Sequence, residues 1–388
     1  MKRMIAALAA ALMLAMTMTG AWAQTRLTVY IAPEAAGDAQ ARELMRLMER
    51  AMPEASFERI GGPGETLGGL VMEDRAPNLA LCPAQQAAPW AQEGMLLAHE
   101  DEAVRAQRAA KQILSGCTLR GETLVMPLAA RFRRVAVNRD RLHKLNLDNL
   151  LDPRRAPVWL PMQLFQVMEE SVLAGGCAME VWPAGPEDGT AVITFIQALY
   201  SGLLLDEEGA CCADSGAVIS AVEWLQEMAD AGLIGRAQSR QAALERFLAG
   251  ETALFIDWTD EDAAHLAAQG AEGLQVYEMP YPSSMGVPLR DTQVVGAVAF
   301  ASDDEAADAL ALQAAAFLAQ DDQAQIALGR PPLEEDGAMW LPVPGIRAQH
   351  AVLRGAMGAA VDSVMNGEIG TEAAMRIVQA AAEAAGGR

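Results

Sequence analysis

Apolar positions along this chain switch repeatedly between a period of two and a period near three and a half, and the switches predict alternating strands and helices. Leu27-Thr-Val-Tyr-Ile31 reads as a strand. Asp38 to Met52 carries an apolar stripe at helical spacing, with Asp38 suited to the N-cap and Pro53 just past the end. Ala55 to Ile60 is a second strand, Gly61-Gly-Pro-Gly64 a loop and Thr66 to Met72 a helix. Asn78-Leu-Ala-Leu-Cys82 is a third strand, stopped by Pro83. This β-α-β-α-β order predicts a doubly wound sheet. The Gly61–Gly64 loop lacks the Lys-Ser/Thr ending of a phosphate-binding loop and reads as a plain turn.

The alternation continues. Gly121 to Pro127 reads as a hairpin end leading into a strand, and Arg134 to Asn138 as another strand. Between them lies an extended basic piece, Leu128-Ala-Ala-Arg-Phe-Arg-Arg134. Helices are expected over 190–204, 215–231 and 305–318, strands over 274–280 and 293–301, and a helical tail broken at Asn366-Gly367. Three extended pieces, near 127–133, 279–283 and 341–345, are expected to cross between two lobes. The fold class expected is α/β, with two lobes, each a doubly wound mixed sheet with helices on both faces, joined by extended hinge crossings. Residues 24–130 and 281–340 would form one lobe, and residues 131–280 and 341–388 the other.

One stretch carries chemistry. A helical pattern stops at Gly250, and a nearly all-apolar run, Thr252 to Ile256, then delivers Asp257 and Trp258. Ligands of open α/β sheets bind outside the carboxyl ends of strands. A flat ring beside a carboxylate there suits a small polar molecule with an apolar face. The alternative is that Trp258 packs on the next helix and Asp257 caps it.

Composition narrows the field. Met1-Lys-Arg, an apolar run from Ile5 to Met16 and Ala21-Trp-Ala23 have the form of a secretory signal over residues 1–23, so an exported protein starting near Gln24 is expected. That run is too short for a membrane span, and no Cys near the expected cut offers a lipid anchor. The net charge of −22 argues against nucleic acid and anionic membranes as partners. Five cysteines (Cys82, Cys117, Cys177, Cys211, Cys212) leave at least one unpaired, and the adjacent Cys211 and Cys212 cannot bond to each other without strain. The four histidines form no ligand spacing, so no metal or cofactor is expected. No Gly-x-Ser-x-Gly elbow or nucleophile–base pair appears, and Asp303-Asp304 and Glu334-Glu335 fall in turn-rich stretches, so no enzyme is expected.

The order of several motifs resembles the extracellular solute-binding proteins of ABC importers, the maltose-binding type in particular, with the type II periplasmic-binding-protein fold. Asp74-Arg-Ala-Pro-Asn-Leu-Ala-Leu, Trp90-Ala-Gln-Glu-Gly-Met-Leu-Leu, Gly121-Glu-Thr-Leu-Val-Met-Pro127 and Val137-Asn-Arg-Asp140 are similar to its motifs. So are Phe247-Leu-Ala-Gly-Glu-Thr-Ala-Leu-Phe, the helix from Ala307 to Leu328, and Met365-Asn-Gly-Glu-Ile-Gly-Thr-Glu-Ala-Ala. Asp148 to Pro161 departs from the maltose type and is similar instead to iron-, thiamine- and polyamine-binding relatives.

The resemblance implies a monomer that closes on a small-molecule ligand, foremost a carbohydrate, and delivers it to an ABC permease. It places Trp258 at a ring position that stacks on ligand and Gln85 and Gln86 at polar loop positions. Arg131 falls where the maltose type has an acidic residue, which would favour an acidic ligand. Phe165 falls near another ring position, and His350 in the last site segment. The rival readings are a binding protein for a charged solute (iron, thiamine, polyamine, sugar acid or sugar phosphate), an exported glycan hydrolase, and a sensor lobe feeding a membrane kinase.

Overall fold

Strands form where β-branched and apolar residues alternate or run together, and their ends are set by the prolines and glycines noted above. The computed structural model describes residues 24–62, 64–147, 158–182, 189–200, 204–206, 210–268, 274–284, 286–287, 289–329, 339–340 and 345–386. The expected signal segment, most of 148–161, Glu334-Glu335 and residues 341–344 of the third crossing lie outside them. In chain order the strands are β1 (Thr25–Ile31), β2 (Ala55–Ile60), β3 (Leu79–Pro83), β4 (Thr118–Leu119), β5 (Glu122–Thr123) and β6 (Met126–Asn138). They continue with β7 (Met179–Val181), β8 (Ile234–Arg236), β9 (Leu254–Trp258), β10 (Val276–Met279), β11 (Leu289–Ala299) and β12 (Met339–Trp340).

The main sheet has the order β10-β6-β11-β3-β1-β2. β1 runs parallel to β2 and to β3, as the β-α-β-α-β reading requires. β11 lies antiparallel to both β3 and β6, which makes the sheet mixed. Helix Glu305–Gln320 packs across β1, β3, β6 and β11, and helix Asp38–Ala51 across β2. The N-cap of Asp38–Ala51 is Gly37, one residue earlier than expected, because the Gln40 side chain accepts the Gly37 N–H and Asp38 becomes the first helical residue. Among the described residues no helix is long and apolar enough to cross a membrane.

Two hydrophobic cores result. One draws on residues 27–132 and 294–346, the other on residues 135–289 and 353–382. The first change-over falls inside β6. What reads in sequence as a strand, an extended basic piece and a second strand is one continuous 13-residue strand. Its first part, to Arg133, pairs with β11, and its last part, from Arg134, pairs with β9 and β10. The second change-over falls inside β11, between Leu289 and Val294. It comes later than the expected crossing at 279–283, since Met279 and Tyr281 are buried in the second core. β11 carries a register shift at Val295/Gly296, where a Cβ on Gly296 would meet Val125 Cγ1 at 2.2 Å and the Met126 carbonyl at 2.9 Å. Only glycine fits that approach. The third change-over lies between Ile346 and Leu353.

His99 is buried under β11, its Nε2 3.3 Å from the Ala297 carbonyl. Burial lowers its pKa to about 4, against a smaller upward pull from that carbonyl. Between pH 6.5 and 4 the unfolded chain therefore binds a proton that the folded protein refuses, so stability falls as the pH drops through this window. The contribution is about 3 kcal/mol by pH 4. In urea unfolding of His99→Gln, the difference in unfolding free energy between pH 7.5 and pH 4 should be smaller by about that amount than in the parent. An unchanged difference would show that His99 takes up its proton without unfolding the core.

Candidate functional site

The carboxyl ends of β1 and β3 open on a cleft between the two cores. Pro33 and Glu34 follow β1, and Pro83 ends β3 and leads into the tight turn Ala84–Ala87 that carries Gln85 and Gln86. The opposite wall comes from the end of β9 and the start of helix Asp260–Ala268, with Asp257, Thr259 and Glu261. The floor is the change-over of β6, Arg131 to Arg133, beside Gln293 of β11. The cavity so formed has a volume of about 850 Å³. This is the crevice position at which open α/β sheets take ligands.

Arg131 bridges the cleft. One guanidinium nitrogen donates to Glu261 Oε1 at 2.9 Å on the second-core side, and the other to the Ala35 carbonyl at 2.9 Å on the first-core side. Arg133 turns the other way, with Nη1 3.5 Å from Asp257 Oδ1 and Nε 4.0 Å from Asp291 Oδ2. Burial works against its charge, but the two carboxylates outweigh burial and hold the guanidinium above its ordinary pKa. Arg240 completes the cluster by donating to Asp257 Oδ2 and to the Asp257 carbonyl, each at 2.7 Å, and to Asp262 Oδ2 at 2.5 Å. Asp291 is raised by burial, opposed by Arg133 and by the Thr194 hydroxyl that donates to it at 2.5 Å.

Helix Asp260–Ala268 is capped by Thr259 and Asp262, not by Asp257. The Thr259 N–H donates to Asp262 Oδ2 at 2.9 Å, and the Asp262 N–H reaches Thr259 Oγ1 at 3.3 Å. This reciprocal pair is a capping box. It leaves the Asp257 carboxylate for the arginines.

Of the residues singled out from sequence, Gln85, Gln86 and Arg131 line the cleft together. The other three lie elsewhere. Trp258 is 1% exposed in the second core, edge-on to Phe247 at 5.9 Å and to Phe255 at 6.4 Å, with its indole N–H donating to Glu278 Oε1 at 3.1 Å. Successive side chains of a strand point to opposite faces, so once Asp257 faces the cleft, Trp258 must face the core. Phe165, on helix Pro161–Leu173, packs against the same core. His350 is buried near the start of helix Ala348–Met365, where its Nδ1 accepts the Gly345 N–H at 3.0 Å.

Sequence reasoning missed Glu34, Arg133, Arg240, Glu261 and Gln293. For Arg240 no local signal exists, since it sits in the first turn of an ordinary surface helix and meets Asp257 only in three dimensions. Phe132 is the single aromatic residue among the described residues of the lining. All five cysteines are free thiols, and burial lifts Cys82 and Cys117 to about 12. Among the described residues no group of three His, Cys, Asp or Glu side chains is placed to hold a metal.

No protein-family model matches this sequence, and no curated protein matches it. Solved structures do. The cyclic α-maltosyl-1,6-maltose binding protein of Arthrobacter globiformis superposes with a TM-score of 0.71 at 15% identity, over 93% of this chain and 98% of its own. An ABC transporter solute-binding protein of Thermotoga lettingae, bound with α-D-tagatose, gives 0.68 at 15% identity over 94% and 99%. One from Agrobacterium radiobacter, in complex with ribitol, gives 0.64 at 14% identity over 93% and 98%. The chain therefore has the type II periplasmic-binding-protein fold over nearly its whole length.

Proposed function

We propose that this chain is an exported solute-binding protein that takes a small hydroxyl-rich solute, foremost a carbohydrate, into the inter-core cleft and presents it to an ABC permease. The observation that carries this reading is the 850 Å³ cleft at the strand ends, lined from both cores and floored by the two strands that join them. Four amide residues line it, Gln40, Gln85, Gln86 and Gln293, and an amide carries both a donor and an acceptor for a hydroxyl. The structural neighbours bound with tagatose and ribitol, and the one named for binding a cyclic maltosyl sugar, support the same ligand class. The amino-terminal segment supports export, and the structural neighbours, which are binding proteins, support binding without catalysis.

Ligand contacts are assigned here to Gln85, Gln86 and Arg131. Trp258, Phe165 and His350 take supporting roles in packing. Closure rests on the change-overs in β6 and β11, about which the two cores turn. Arg131 already ties the cores through Ala35 and Glu261 and so favours the closed arrangement.

Thermal unfolding of the protein from residue 24 onward, against monosaccharides, oligosaccharides, polyols, sugar acids, sugar phosphates, polyamines and thiamine, tests the reading. A solute at about a hundred times its dissociation constant adds about 2.7 kcal/mol and raises the midpoint by several degrees. A shift with sugars or polyols is expected. A panel without any shift would sink the proposal.

A further inference from the structure

The cleft is charged, yet three of its arginines are committed to carboxylates. Four arginines and five carboxylates line it. Arg131 is held by Glu261, Arg133 by Asp257 and Asp291, and Arg240 by Asp257 and Asp262. An incoming carboxylate or phosphate that took Arg133 or Arg240 would strip it from its partners. That step would leave Asp291 or Asp262, each less than 10% exposed, without its arginine. Arg131 already has a carboxylate partner in Glu261.

One carboxylate differs. Glu34, in the loop after β1, lines the cleft, is exposed, and makes no hydrogen bond or ion pair among the described residues. Its charge reaches inward, since it adds to burial in raising the Tyr30 hydroxyl and the Cys82 thiol behind the strand ends. Across the cleft the acids of the run Asp260-Glu261-Asp262 are each paired with an arginine, Arg134, Arg131 and Arg240, so among the described residues Glu34 is the carboxylate of the lining left without one. The chain as a whole carries −22. A long-range field of this sign raises the local concentration of cations and repels anions.

We propose that the cleft selects a hydroxyl-rich solute carrying a protonated amine, with Glu34 as the counter-ion, and rejects the corresponding acids. This rests on the solute-binding reading above and narrows its ligand class. The amides would hold the hydroxyls, and Phe132, the single aromatic among the described residues of the lining, leaves hydrogen bonds and charge to do the discriminating.

Calorimetric titration at pH 7 in low salt, with two matched sets, provides the test: D-glucose, D-glucosamine and D-glucuronate, and D-galactose, D-galactosamine and D-galacturonate. In at least one set the amine should bind about fivefold or more tighter than the neutral sugar, with the acid weakest. Raising the salt from about 50 to about 500 mM should narrow the gap. Glu34→Gln should bring the amine to within about twofold of the neutral sugar. Equal affinities for amine and neutral sugar, or an acid that binds tighter than the neutral sugar, would overturn the charge assignment and leave the solute-binding reading intact. The same holds if both sets are silent while another solute of the wider panel shifts the unfolding midpoint. Silence of both sets and of the whole panel would overturn the two together.

Discussion

Arg133→Ala is expected to lower the unfolding free energy at pH 7 by about 3–5 kcal/mol, the usual cost of removing one partner from a buried charge cluster. The guanidinium lies between Asp257 and Asp291, both 7% exposed. Asp257 would keep Arg240, but Asp291 would keep only neutral donors, the Thr194 hydroxyl and the Thr292 N–H, and burial already pushes its carboxyl upward with Arg133 in place. The penalty should therefore fall mainly on Asp291. Denaturant unfolding of Arg133→Ala and of the double variant Arg133→Ala/Asp291→Asn separates the contributions. The double variant should recover more than about 1 kcal/mol, because a neutral amide replaces the stranded charge. A single variant within about 1 kcal/mol of the parent would mean that water reaches Asp291 once the arginine is gone.

Trp258→Ala is expected to be comparably damaging, by about 3–5 kcal/mol, through the cavity left among Phe247, Phe255 and the rest of the second core. Trp258→Phe should cost less, chiefly the hydrogen bond to Glu278 and part of the ring volume. The decisive comparison is ligand affinity in the Phe variant, once a solute is known. Affinity within about twofold of the parent is expected, because the indole stands behind the cleft wall. A loss equivalent to about 1 kcal/mol or more would restore the stacking role that the family resemblance implies.

The contrast between these two residues explains what the amino-acid order can reveal. The first three strands and their helices follow from periodicity and from Pro53 and Pro83, which act locally. β9 was legible for the same reason, as a short apolar run after a glycine stop. Its alternation also held the information that Asp257 and Trp258 face opposite ways, a signal that outweighs the attraction of a large ring near a strand end. β6 was legible only in pieces. Arg131, Arg133 and Arg134 interrupt its apolar run, and their counter-charges are supplied by residues more than a hundred positions away, including Asp257, Asp260, Glu261 and Asp291. No local pattern shows that a basic stretch will be neutralised in three dimensions. Gln85, Gln86 and Arg131 were found through family resemblance, whereas Glu34 and Arg240 required the fold itself.

The shared strands also set an order of assembly. β3 has its antiparallel neighbour only when β11 arrives, and the helix Glu305–Gln320 that covers the first core comes later still. Every residue from 135 to 289 is made before that neighbour. A nascent chain that ends short of β11 thus presents β3 as an open edge and cannot complete its amino-terminal core. Such long-range closure slows folding, and the amino-terminal core stays incomplete until β11 and that helix have been made. Under the export proposed above, a translocation channel that admits only extended polypeptide would meet an amino-terminal half that has not yet closed.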